Sequence, residues 1–151
     1  MATILAFFKN EVLMVSVAAW VTAQFLKFFF TGLTTRKFKL ERLTGAGGMP
    51  SGHSATVSSL IISMARVEGL ASSGFALSVL LAMIVMYDAM GVRYAAGQQA
   101  KVINKLVDNV EKETNTEVAD DLKEVLGHTP LEVAAGAMLG ILVSIVYSIL
   151  V

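Results

Sequence analysis

His53 and His128 are the two histidines of this chain, and histidine alone exchanges a proton near neutral pH without a shifted pKa. Each stands in a turn where an apolar segment begins. The first turn is Gly47-Gly48-Met49-Pro50-Ser51-Gly52-His53-Ser54. Its glycines let the backbone approach a ligand closely, and Ser51 suits a helix N-cap. A helix starting there directs free N–H groups and a positive dipole end at the turn, an arrangement that binds phosphate. The competing reading is a glycine loop between two membrane helices, with His53 at the water interface. The second turn is Leu126-Gly127-His128-Thr129-Pro130-Leu131-Glu132. Thr129 as N-cap, Pro130 at N1 and Glu132 at N3 make a capping box. A slightly earlier helix start would instead make His128 and Glu132 neighbours at i and i+4. The carboxylate would then hold one ring nitrogen protonated and leave the other as a nucleophile or base. Both uses of Glu132 stay open.

The elements that position these residues belong to a membrane protein. Of 151 residues, 55% are hydrophobic and only 16% charged, with a mean hydropathy of +0.67, well below the charge of a typical globular domain. Zero formal net charge gives no argument for nucleic acid, and the lack of cysteine excludes disulfides and thiolate chemistry. The first apolar stretch, 12–30, is long and ends in Gln24 and Lys27, so it reads as a retained span rather than a signal peptide. Segment 54–65 is helical in pattern but short, so it either begins inside the glycine turn and runs to Gly69 or lies tilted and partly buried. Segments 72–90 and 131–151 are further spans, and Gly136 with Gly140 on the last suits close packing inside one subunit. Between them, Val102, Ile103, Leu106, Val107 and Val110 follow a helical period over 92–112. A break at Thr114-Asn115-Thr116 and a shorter helix ending near Leu126 are expected next. The fold class is therefore all-α: a polytopic bundle of about four membrane-inserted helices plus an amphipathic helical segment. It forms one integral membrane domain, 1–151, with a polar insertion at about 91–129.

Nine of the twelve Lys and Arg lie in loops 31–53 and 91–130. The positive-inside rule places both loops in the cytoplasm and both termini opposite. Lys27, Arg36, His53, Asp88, Arg93, His128 and Glu132 then converge on one membrane face.

The same residues carry a family resemblance. Pro50-Ser51-Gly52-His53 resembles the central signature of the type 2 phosphatidic acid phosphatase superfamily, and His128-x3-Glu132 is similar to its later His-x3-Asp element. Adding Val85-Met86-Tyr87-Asp88-Ala89 and Gly91-Val92-Arg93, the pattern resembles the superfamily's divergent branch. That branch consists of small membrane proteins described as acid phosphatase/vanadium-dependent haloperoxidase-related. The resemblance covers about 27–140. It implies that His128 attacks phosphorus, Glu132 orients its ring, and His53 protonates the leaving oxygen. It also implies phosphate binding by Lys27, Arg36, Ser51, Gly52 and Arg93, with Asp88 in support. Two departures stand out. Arg36 follows Lys27 after eight residues and without the expected proline, and Leu122 occupies the place of the second motif arginine. Arg93, or less suitably Lys123, would supply that cation.

The expected function is a membrane-embedded lipid phosphate phosphatase acting on a monoester or diphosphate through a phosphohistidine. No cofactor or metal is expected. The expected partners are the lipid phosphate and the bilayer, with self-association into a homo-oligomer left open. The expected location is the plasma membrane, with the site facing the cytoplasm. The alternative is a non-catalytic membrane protein that binds lipid head groups or scaffolds a partner. A third reading is a metal site of His53, His128, Glu132 and Asp88, which lacks the paired histidine spacing of a zinc helix.

Overall fold

The computed structural model describes residues 6–36, 48–116, 120–124 and 126–151. Helix α1, Glu11–Thr35, starts where Asn10 Oδ1 accepts the Leu13 N–H at 3.1 Å. Helix α2, Gly52–Val67, is capped by Ser51, and α3, Ser73–Met90, by Ser72. Gly91 separates α3 from α4, Val92–Thr114, and Asn115 ends α4 in the left-handed region. Helix α5, Pro130–Leu150, opens on the capping box of Thr129 and Glu132 with Pro130 in its first turn. No strand occurs among the described residues.

Three stretches are long and apolar enough to cross a membrane: Glu11–Leu33, the run beginning at Ser73, and Pro130–Leu150. Helix α2 is shorter. Its 16 residues rise about 24 Å, less than a bilayer's hydrocarbon thickness. It runs from inside the glycine turn to Val67 and packs against α1, α3 and α5.

That central place suits its sequence. Ser54, Ser58, Ser59 and Ser63 are buried along α2, while Phe25, Phe29, Leu80, Met83, Ile84 and Met138 point outward from its neighbours. Small residues inside and large apolar residues outside are the pattern of a bundle solvated by lipid, where close backbone contact replaces hydrophobic collapse. Gly136 and Gly140 carry the closest contact. A Cβ added at either would fall 2.3 Å from the Ser51 carbonyl oxygen or 2.1 Å from that of Ala55. The GxxxG face of α5 is thus spent on α2 within one subunit. Ser144 Oγ adds hydrogen bonds to the Ser59 and Gly140 carbonyls at 3.2 and 3.0 Å. At the far end, Arg66 pairs with Glu11 and lies over the Tyr147 ring, joining α1, α2 and α5.

One expected element is corrected. Residues 120–124 and 126 are not helical, so the short helix ending near Leu126 is absent there. Asn104, buried on α4, donates to the Leu122 carbonyl at 2.9 Å and accepts the Leu122 N–H at 2.9 Å. Its amide also reaches Glu124 Oε1 at 3.0 Å. A side-chain amide that satisfies both backbone groups of one residue replaces the bonds a helix would have made. The segment therefore returns along α4 non-helically, and Leu122 is held there as backbone.

Candidate active site

Three helix ends and one turn meet at the two histidines. His53 is the second residue of α2, held by the Ser51 cap, whose Oγ accepts from the Ser54 N–H at 3.3 Å and the Ser54 hydroxyl at 3.0 Å. His128 comes from the returning segment. Gly127 turns the chain with φ +75°, pressed so closely on the Tyr94 backbone that a Cβ would lie 2.3 Å from its nitrogen. The His128 N–H then donates to the Ala89 carbonyl, near the end of α3, at 2.9 Å. The Ser51 N–H donates to the Glu132 carbonyl at 3.1 Å, tying the start of α2 to the start of α5.

The two imidazoles face each other with ring centroids 6.4 Å apart and planes at 63°. His128 is 4% exposed, and its Nδ1 lies 3.2 Å from Glu132 Oε2. The same oxygen accepts the Thr129 N–H at 3.0 Å. Capping and ring orientation are therefore not alternatives, because one carboxylate oxygen does both. Burial is the largest influence on His128 and pushes its pKa below the ordinary value, helped by Lys27 and Arg93 and opposed by Glu132. The imidazole is accordingly neutral at pH 7. In the tautomer that donates Nδ1–H to the carboxylate, Nε2 keeps its lone pair.

His53 and His128 line a cleft of about 90 Å³ with Val85, Asp88, Ala89, Arg93 and Gly127. That is far below the roughly 300–1,000 Å³ of a cleft that encloses a drug-sized ligand, and on the scale of a small polar group such as a phosphoryl. Asp88 Oδ2 accepts from Arg93 Nε at 2.5 Å across the α3–α4 break, fixing a guanidinium at the cleft.

The other sequence-predicted residues lie behind or away from this cleft. Lys27 is 3% exposed, with its stem beneath Gly48 and its charge near enough to act on His128. Ser51 is fully buried at the cap, and Gly52 packs on Trp20 and Gln24. Arg36 is exposed at the C-cap of α1, and Lys123 is exposed on the returning segment. Gly47 and the basic residues Lys37, Lys39 and Arg42 lie outside the described residues. Among the described residues, no group of three or more His, Asp or Glu is placed to hold a metal ion.

The sequence profile of the Divergent PAP2 family matches residues 8–143. The chain belongs to that family. An uncharacterized membrane protein of Bacillus subtilis strain 168, YuiD, is 43% identical over 147 residues, covering 91% of this chain and 93% of that protein. No solved structure matches.

For a Divergent PAP2 chain, two contributors to the site escape motif reasoning. The Ala89 carbonyl fixes the His128 backbone, and its only sequence signal is its place beside Asp88 at the end of a span. Gln24 lies one turn before Lys27 and packs on Gly52, with its Oε1 buried and without a hydrogen-bond partner among the described residues. A second polar residue three positions from Lys27 in an apolar run is the signal that marks it.

Proposed function

We propose that this membrane protein is a lipid phosphate phosphatase that works through a phosphohistidine on His128. The observation that carries the reading is the buried pair of His128 Nδ1 and Glu132 Oε2 facing His53 across a phosphate-sized cleft beside Arg93. His128 Nε2 attacks phosphorus, and the bond from phosphorus to the leaving oxygen breaks. His53 gives that oxygen its proton. His53, then neutral, takes a proton from water, which attacks the phosphohistidine and releases inorganic phosphate. Arg93, steadied by Asp88, offsets charge on the five-coordinate phosphorus, with Lys27 adding positive charge from behind. Ser51 and Gly52 shape the start of α2.

The substrate is a phosphate monoester or diphosphate whose tail stays in the bilayer; phosphatidate, phosphatidylglycerol phosphate and polyprenyl diphosphate all fit the site. The clustering of Lys and Arg on the histidine side supports a cytoplasmic opening at the plasma membrane.

A second reading is favoured by one observation. Arg93 is the only cation that lines the cleft among the described residues, and Asp88 already engages it. A protein so built can bind lipid head groups without turning them over.

The test is inorganic phosphate release by purified full-length protein from a panel of lipid phosphates. His128→Ala should abolish release, chelators should leave it intact, and vanadate should inhibit. Acid-labile label from labelled substrate should appear on His128. Near-normal turnover in a folded His128→Ala protein refutes the mechanism. Saturable binding with no release from any lipid establishes the second reading instead.

A further inference from the structure

Helix α4 leaves one face unpartnered. Taken at 100° per residue, Val92, Val102, Ile103, Leu106 and Val110 fall within an arc of about 100°. All five are exposed, Val102 to 61% and Leu106 to 59%. Ala95 and Gln99 lie between them, and Glu113 closes the arc at its C-terminal end. Exposed Lys101, Lys105 and Lys112 form a row about 60–100° round the helix from the Val102 edge of the arc. The opposite side, Gly97, Ala100 and Asn104, is buried, with Gly97 under Glu124 and Leu126 and Asn104 against Leu122. Asp108 lies beyond the lysine row, away from the apolar arc.

We infer that α4 lies in the membrane interface, its apolar arc in the acyl boundary and its lysine row on anionic lipid headgroups. Two observations commit the face to a lipid surface. Gly91 alone separates α4 from the spanning helix α3, so α4 begins at the membrane boundary. The lysine row also stands between the apolar arc and Asp108, where long stems extend the ammonium groups to the headgroup level. The side that carries Asn104 and delivers His128 then faces away from the lipid. This docking stands whether or not the cleft turns over phosphate.

The chain has no cysteine, so single probes are direct. Leu106→Cys and Asp108→Cys are each labelled with an environment-sensitive dye. Each full-length protein is then reconstituted into vesicles of phosphatidylcholine alone or mixed with phosphatidylglycerol. In the anionic vesicles the dye at 106 should be shielded from an aqueous quencher and reached by a lipid-borne one, and the dye at 108 should show the reverse. Changing Lys101, Lys105 and Lys112 together to Gln should lower the docked-to-free ratio on the order of 10², since each lysine near an anionic surface contributes about 1 kcal/mol. Equal aqueous access at 106 and 108 in anionic vesicles overturns the inference. So does shielding that ignores both phosphatidylglycerol and the lysines. Shielding lost when the protein is diluted among vesicles also overturns it, by assigning the face to a second copy.

Discussion

Gly136→Ala tests the contact that holds the two histidine-bearing regions together. The added Cβ would lie 2.3 Å from the Ser51 carbonyl oxygen and 3.1 Å from both the Ser51 carbonyl carbon and Cβ. Ordinary contact begins near 3.4 Å, so the start of α2 must move from α5 by about 1 Å. The obstacle is backbone inside a capped helix start and cannot rotate aside. Overpacking of this kind costs about 1–3 kcal/mol. The Ser51 N–H bond to the Glu132 carbonyl, now 3.1 Å, is stretched by the same movement, at a further cost of about 0.5–1.5 kcal/mol. Trp20, the single tryptophan, packs on Gly52 and reports this region. Denaturant unfolding in mild detergent followed by its fluorescence should show a loss of about 1.5–4.5 kcal/mol, the sum of these two costs. Gly140→Ala should destabilise similarly, because its Cβ meets the Ala55 carbonyl oxygen at 2.1 Å. It should perturb the cleft less, being one turn deeper. Met138→Ala, on the outward face of α5, should stay within about 0.5 kcal/mol. Parent-like stability of Gly136→Ala would refute the packing of α2 on α5, and with it the cleft geometry.

His53→Ala should slow phosphate release by about 10² or more, as expected for lost acid–base help, and an activated leaving group should partly restore turnover; failure of rescue removes His53 as the acid. The folded pKa of His128 is lowered, so kcat/KM should fall on the acid side as its ring is protonated, below the ordinary histidine value. It should fall on the alkaline side as His53, whose pKa burial and then Arg93 also lower, loses the proton it must donate. Glu132 opposes the lowering at His128, so Glu132→Gln should move the acid limb to still lower pH, and an upward move would contradict the assigned pair. Asn104→Ala should cost about 1–3 kcal/mol by leaving the Leu122 backbone groups without their partner; an unchanged midpoint would show that the return segment is held otherwise. Leu70→Cys and Thr116→Cys should label with an impermeant thiol reagent from opposite sides of the membrane, and labelling from one side would refute the orientation of α3.

What could be read from the residues depended on how local the cause was. Caps are local, so Ser51 and Thr129 were legible as helix starts, and the structure adds Asn10 and Ser72 as caps where two further apolar runs begin. The apolar spans and the helical period of α4 are equally local. The short helix before His128 failed because its cause is remote: Asn104, some eighteen positions away, takes both backbone groups of Leu122. Nothing near Leu122 announces that. The role of Glu132 divided into two readings because spacing assigns one partner per carboxylate, whereas a single oxygen here serves both Thr129 and His128. Lys27 shows the same limit in burial. A lysine near a span end reads as a side chain that reaches toward water, yet it is buried under Gly48, where a glycine with φ +89° lets the turn close over its stem. The histidine cleft was legible as a convergence of helix ends on one face. Arg93 was legible as its cation ahead of Lys123, but the reason was not, because it follows from the bend at Gly91, where Asp88 at the end of α3 takes hold of Arg93 at the start of α4.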